Sequence, residues 1–325
     1  LDSSEDAEAI FSGARKGHAY TRFGNPTVDH LARLLADLEG GQGALVTASG
    51  NAATLTALCM SLKSGRNLIV SHPDLYGGTL ELLRLFSSRF RVPVALINPS
   101  REDSWFRAIQ RSSILFVETP SNPLMRLIDL RRCGLVARKS GARFIVDNTV
   151  ATPLGQRPFD FGADLIVHSL SKYLNGHSDM IGGCVIHKGA LDEGQRAVHK
   201  NLGGTVNALD AYLLCRGLRT FPLRMAAHHT NAPRVAEFLA RHPRVARVHY
   251  PGLSDHPQAS LVARQMKHPG ALLSFELAGG ERAARRFLNR IRLVVHAVSL
   301  GGLESLATRP AATSHRGMSA ADKKR

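Results

Sequence analysis

A lysine at position 172 sits between two serines in HSLSKYLNGHSD, residues 168–179, directly after the apolar run ADLIVH. Taken alone, it reads as a solvated surface side chain. Earlier in the chain, FIVDNT places Asp147 at the end of a second apolar run, 25 residues before Lys172. That interval holds one helix and the next strand, so adjacent strands would present a carboxylate and an amine to one ligand. A buried carboxylate needs a partner. A local turn or cap supplies it in the ordinary case, and a cationic ring nitrogen in the functional one.

Other segments could complete such a site. TASGN, residues 47–51, is a strand-to-helix turn of small side chains. Backbone N–H groups at a helix start bind anions, so Ser49, Gly50 and Asn51 form a candidate phosphate turn. Ser169 and Ser171 add hydroxyls beside the lysine, and AYTRFGNP contributes Tyr20 and Arg22 as phosphate contacts. DLYGGT puts Tyr76 before two glycines, where its ring could stack on a flat ligand. ETPSNP puts Glu118 and Asn122 at a proline-bounded strand end, where Asn122 could bond a phenolic oxygen or simply close an Asx-turn. An amine for a Schiff base, an acid for a pyridinium and a cradle for a phosphate are together what pyridoxal phosphate requires.

The elements that must position these residues form a regular series. Short apolar runs at residues 43–50, 67–71, 92–98, 113–120, 142–149, 163–169 and 182–187 read as seven strands. Helical patterns lie between several of them: residues 25–41 stop at Gly40-Gly41, residues 51–65 at Gly65, and residues 127–141 at Gly141. The expected fold is α/β, a mostly parallel sheet with helices on both faces. Ser49, Glu118, Asp147 and Ser169 mark the carboxyl ends of the strands, which is where ligands bind in open α/β sheets. Residues 207–242 form a long helical stretch, broken or bent near Pro222 and Pro233. Strands at 245–252, 271–277 and 293–299 and a helix at 281–291 then indicate a smaller α+β unit, with a boundary near residue 212.

Composition excludes several classes. The 325 residues are 44% hydrophobic and 21% charged, without an apolar run long enough to span a membrane. The net charge of +16 comes from arginines spread over helical faces, and only 6% of residues are aromatic. That pattern does not favour nucleic-acid binding. Cys59, Cys133, Cys184 and Cys215 are widely separated, which reads as free thiols in a cytoplasmic protein with no metal site.

In this order, the segments YTRFGNPTVDHLARLLADLEGG, TASGNAATL, DLYGGT, FVETPSNP, VDNTVATP, HSLSKYLNGHSDMIGG and SLGGLESLATRPAATSH resemble the Cys/Met-metabolism family of fold-type-I pyridoxal-phosphate enzymes. The family includes cystathionine γ-synthase, cystathionine γ-lyase, methionine γ-lyase and O-acylhomoserine sulfhydrylases. The resemblance implies a seven-stranded large domain over residues 23–212, a C-terminal α+β domain over 213–325, and residues 1–22 as the remnant of an N-terminal arm. It implies a cofactor joined covalently to Lys172, with Asp147 at the ring nitrogen. Ser49, Gly50, Asn51, Ser169 and Ser171 would surround the phosphate, with Tyr76 stacked on the ring. Tyr20 and Arg22 would reach the neighbouring subunit of a homodimer or tetramer. Lys172, Tyr76 and Tyr20 would be catalytic, and Asn122, Ser299, Glu118 and Glu304 would lie near the substrate.

The implied chemistry is γ-elimination on cystathionine or a methionine-like amino acid, giving a 2-oxo acid, ammonia and a thiol. The alternatives are γ-replacement on an O-acylhomoserine and a cofactor-binding relative without activity. Glu304 in SLGGLES resembles cystathionine-processing members. Other positions depart from the family pattern: Glu81 stands near a common arginine, Gly78 where methionine γ-lyases carry cysteine, Asn51 where Met or Leu is usual, and Arg309 where histidine is common. Family members also carry an Arg-Leu-Ser motif whose arginine clamps the substrate carboxylate, and SAADKKR is not followed by one. The expectation is that both ends lie outside this sequence. Native truncation is the alternative, and it would impair substrate binding while leaving the cofactor site intact.

Overall fold

The computed structural model describes residues 3–65 and 67–313. The end of the TRPAATSH motif and the closing residues lie outside that range. The strands of the main sheet are β1 (Gly43–Thr47), β2 (Ile69–Ser71), β3 (Val94–Leu96), β4 (Ile114–Glu118), β5 (Arg143–Asp147), β6 (Leu165–Ser169) and β7 (Gly183–His187). The helices are α1 (Ser4–Phe11), α2 (Pro26–Glu39), α3 (Gly50–Cys59), α4 (Gly77–Ser88), α5 (Glu102–Arg111), α6 (Leu130–Ser140), α7 (Thr152–Gly155), α8 (Glu193–Leu202), α9 (Ala208–Leu218), α10 (Phe221–Ala240), α11 (Ala259–Gln265) and α12 (Gly280–Leu288).

The strand order is β1-β7-β6-β5-β4-β2-β3. Only β7 runs against its neighbours, and β2 to β6 are mutually parallel. Alternate residues of each strand feed two cores. Leu115, Val117, Phe144, Val146 and Ile166 face α2, α5 and α6. Ile114, Phe116, Ile145, Leu165 and Val167 face α3 and α4. A fully buried Ile or Leu contributes about 1.5–3 kcal/mol over an exposed one, so two-sided burial fixes the strand register. Register in turn aligns the site: Glu118 lies opposite Asp147, and Ser169 opposite Gly183.

Local signals explain the helix ends. Asn25 caps α2, accepting from the Val28 N–H, and Gly40 ends it at φ +72°. Three expectations need correction. The helix expected to run to Gly65 stops at Cys59. The break expected near Pro222 exists, with Pro222 in the first turn of α10, but Pro233 does not interrupt that helix. Pro233 removes one helical N–H, while Ala232 and Ala236 on either side pack on the buried Tyr250 and hold the helix in place. The strand expected over 293–299 shortens to β10 (Val295–His296), paired with β11 (Leu306–Ala307).

The smaller unit holds β8 (Val245–His249) antiparallel to β9 (Ser274–Leu277). The packing changes partners within α10. Phe221 and Met225 join the main core, and Ala232 and Ala236 join Tyr250 of the smaller unit.

Candidate active site

Lys172 lies three residues beyond the end of β6, in a turn that is neither helix nor strand. Its Nζ donates to the Ser299 Oγ at 2.9 Å, across 127 residues of chain. Burial pulls the Lys172 pKa below the ordinary lysine value, which favours a neutral, nucleophilic amine. Ser299 has φ +112°, a sparsely populated conformation for a residue with a Cβ.

Asp147 ends β5 beside β6, and its Oδ1 accepts from the Thr149 N–H at 3.0 Å. Burial raises its pKa, opposed by the bonds from Thr149 and by the charge of His168. One strand further, Glu118 is 3% exposed. Burial first, and then the Asp147 carboxylate, push its pKa well up. The Glu118 carboxylate accepts from the Tyr76 N–H at 2.8 Å. Helix α4 has no side-chain cap of its own at Tyr76, so Glu118 supplies the missing acceptor from another strand. Behind it, His72 Nε2 accepts from the Glu118 N–H, and burial lowers the His72 pKa to about 4.

The turn at residues 47–51 joins β1 to α3 as a strand-to-helix turn. Ser49 caps α3, its Oγ accepting from the Ala52 N–H at 3.1 Å. A Cβ added at Gly50 would come within 2.9 Å of the Ser169 Cβ, so α3 begins directly against the end of β6. The Ser171 Oγ accepts from the Gly182 N–H at 3.0 Å, tying the turn to the start of β7. A Cβ at Gly78 would approach both the Tyr76 ring and the Asn51 amide, so those side chains converge there. Tyr76 is 46% exposed.

Not every expected residue joins this group. Tyr20 is 57% exposed. The Arg22 guanidinium lies over the Phe23 and Tyr20 rings and donates to the Lys200 carbonyl. Among the described residues, neither Tyr20 nor Arg22 bonds to Lys172, Asp147 or the Ser49 turn. Asn122 is half-buried, and its side-chain amide makes no hydrogen bond among the described residues. Glu304 is exposed on the loop that follows Ser299.

Two buried groups escaped the sequence reading. His168 Nε2 and Glu39 Oε1 are 2.6 Å apart, with both side chains essentially inaccessible. Asn148 Nδ2 also donates to Glu39 Oε1. This cluster lies on the α2 face of the sheet, opposite Asp147, in line with strand alternation. Arg224 of α10 is the other, held among main-chain carbonyls. The LEGG stop signal hid Glu39 as an ordinary helix end, and no spacing rule pairs residues 129 positions apart.

A family model described as Cys/Met metabolism PLP-dependent enzyme matches residues 2–325. An L-methionine γ-lyase from Fusobacterium nucleatum subsp. polymorphum is 40% identical over 319 residues, covering 97% of this chain and 80% of the relative. A cystathionine γ-synthase from Escherichia coli (strain K12) is 41% identical over 305 residues, covering 93% of this chain and 79% of that protein. The crystal structure of cystathionine γ-synthase from Xanthomonas oryzae pv. oryzae, in complex with aminoacrylate and cysteine, superposes with a TM-score of 0.90 at 41% identity. That match covers 96% of this chain and 81% of the solved one. The chain therefore belongs to the Cys/Met-metabolism family of PLP-dependent enzymes.

Proposed function

We propose that the protein carries out γ-elimination on cystathionine or a methionine-like amino acid, with pyridoxal phosphate joined covalently to Lys172. The observation that carries this reading is the placement of the Lys172 amine, bonded to Ser299, one strand from the Asp147 carboxylate. Replacement at the γ-carbon of an O-acylhomoserine is the second reading, supported by the likeness to cystathionine γ-synthases.

The residues present fit the cofactor. Gly50 lets the α3 N-terminus sit directly against Ser169, which brings the Ser49 and Ser169 hydroxyls beside the N–H groups of that helix start. Asp147 has its pKa raised by burial, and a cationic ring nitrogen would supply the counter-charge. Tyr76 has an exposed ring at the rim for stacking. When bound, pyridoxal phosphate supplies an electron sink for negative charge developing at the substrate carbons.

The chain's own residues do the rest. Lys172 Nζ, its pKa lowered by burial, takes the substrate α-proton as a general base. Ser299 Oγ gives that amine a fixed resting partner. Tyr76 relays a proton to the departing γ-substituent, and Glu118 fixes the main chain at Tyr76 from below. Glu118 is thus placed under Tyr76 rather than at an open surface, and Asn122 retains a free amide for the substrate side. Exposed Glu304 is our candidate for contacting the distal part of the substrate. Tyr20 and Arg22, exposed and apart from the site of their own protomer, fit a role in the site of a neighbouring subunit. We read the assembly as a homodimer or tetramer on that basis. Among the described residues no helix is long and apolar enough to cross a membrane. Four unpaired cysteines support a cytoplasmic setting.

A product assay tests the reading. Cystathionine, methionine and O-succinylhomoserine are each supplied with and without a thiol. Elimination predicts a 2-oxo acid and ammonia without added thiol. Thiol-dependent consumption of O-succinylhomoserine alone would favour replacement, and no product from any substrate would favour a relative without activity.

A further inference from the structure

Arg224 is 8% exposed, and among the described residues no carboxylate lies within ion-pair distance of it. Its guanidinium instead donates to three main-chain carbonyls: Tyr173 at 2.6 Å, Leu174 at 3.2 Å and Gly217 at 3.0 Å. The Nε donates to the Thr220 Oγ1 at 3.1 Å. Two of those carbonyls directly follow Lys172. They belong to a turn without strand or helix partners, so they need donors from elsewhere. The third is a carbonyl in the last turn of α9, where the helix dipole favours a cation.

The turn is shaped around this group. The Gly176 N–H returns to the Lys172 carbonyl at 2.8 Å, closing the loop that carries the lysine. Gly176 has φ +74°, and a Cβ there would overlap the Arg224 guanidinium. The bare face of Gly176 is therefore the seat of the fork. Arg224 itself lies on α10, the helix that packs on both the main core and the smaller unit. Its burial among carbonyls is explained by no step described above.

We propose that Arg224 is a positioning residue for Lys172: its planar fork binds the carbonyls after the lysine and sets the direction in which the amine projects. The inference rests on the reading of Lys172 as the cofactor-bearing residue. A planar guanidinium meets three carbonyls in fixed directions, whereas an ammonium is a point charge without that geometry. Arg224→Lys should therefore keep the charge and lose the positioning.

The test uses the purified protein stripped of cofactor and remixed with pyridoxal phosphate. Three quantities are read: the rate at which the visible band appears, the pH midpoint of that band, and kcat set against KM. For Arg224→Lys, band formation and kcat should each fall about tenfold or more, the pH midpoint should move, and KM should change little. Arg224→Ala should behave alike and regain rate on adding millimolar guanidinium, which should leave the unmodified protein unaffected. Gly176→Ala, which keeps every charge but unseats the fork, should show the same pattern and serves if the arginine variants do not fold. Wild-type rate, midpoint and kcat in any folded variant of this set would overturn the proposal, even if its melting temperature fell. Lys172→Ala is the control: if it still captures the cofactor as fast as the unmodified protein, the reading of Lys172 fails rather than that of Arg224.

Discussion

The wall of the site built from strand ends differs from the wall built by residues 293–309. At the strand ends, Glu118 is 3% exposed, and Asp147, Ser169 and Gly50 are fixed by ladder register and a helix start. The facing loop has Leu293 at 91%, Val298 at 62% and Leu303 at 63% exposure, and its only strands are two-residue β10 and β11. One hydrogen bond, Lys172 to Ser299, joins that loop to the Lys172 amine. The comparison teaches a division of labour. Sheet packing and strand register hold Asp147, Glu118 and Ser169 within narrow limits, whereas residues 293–309 rest on one two-residue strand pairing and expose several large apolar side chains.

The largest effect should come from the rigid wall. Lys172→Ala should lower turnover by about 10^3-fold or more, measured as kcat with each substrate. Asp147→Asn should follow, at about 10^2–10^3-fold in kcat, with weaker cofactor retention on dialysis. Equal losses from substitutions in the loop would break the comparison.

Glu118 sharpens it through pH. Its folded-state pKa lies well above the ordinary 4.5, chiefly through burial. The stability it contributes is complete below the unfolded pKa and is lost as pH rises through the folded one. Glu118→Gln keeps an acceptor for the Tyr76 N–H and removes that ionisation. Melting temperatures compared from about pH 5 to about pH 8 should show the Gln variant gaining steadily on the unmodified protein.

The loop should give smaller effects. Ser299→Ala should cost less than about tenfold in kcat, because one hydrogen bond to an amine is lost. Ser299→Gly, which relieves the φ of +112°, should raise the melting temperature relative to Ser299→Ala. Smallest on kcat should be Glu304→Ala, whose mark should be a changed ratio of kcat/KM between cystathionine and methionine with the visible band unaltered.

The same division governs what could be read from sequence. The seven strands, the strand-to-helix turn at TASGN and the order of polar strand ends were legible, because local periodicity and turn composition encode them. Glu39 with His168 and Arg224 with the Lys172 turn were not, because each pairing joins distant segments and uses residues with ordinary local roles. Glu118 was visible as a strand-end acid, but its orientation under Tyr76 depends on how α4 docks beside β4. LVVHAVS predicts a longer strand than it forms, since it has strand composition but only the two-residue β11 to pair with.

The most direct test of the account is borohydride reduction of the protein loaded with pyridoxal phosphate, followed by peptide mapping. The account predicts a pyridoxyl adduct on the peptide containing Lys172 and loss of the visible band. An adduct confined to another lysine, or a visible band that survives in Lys172→Ala, would contradict it.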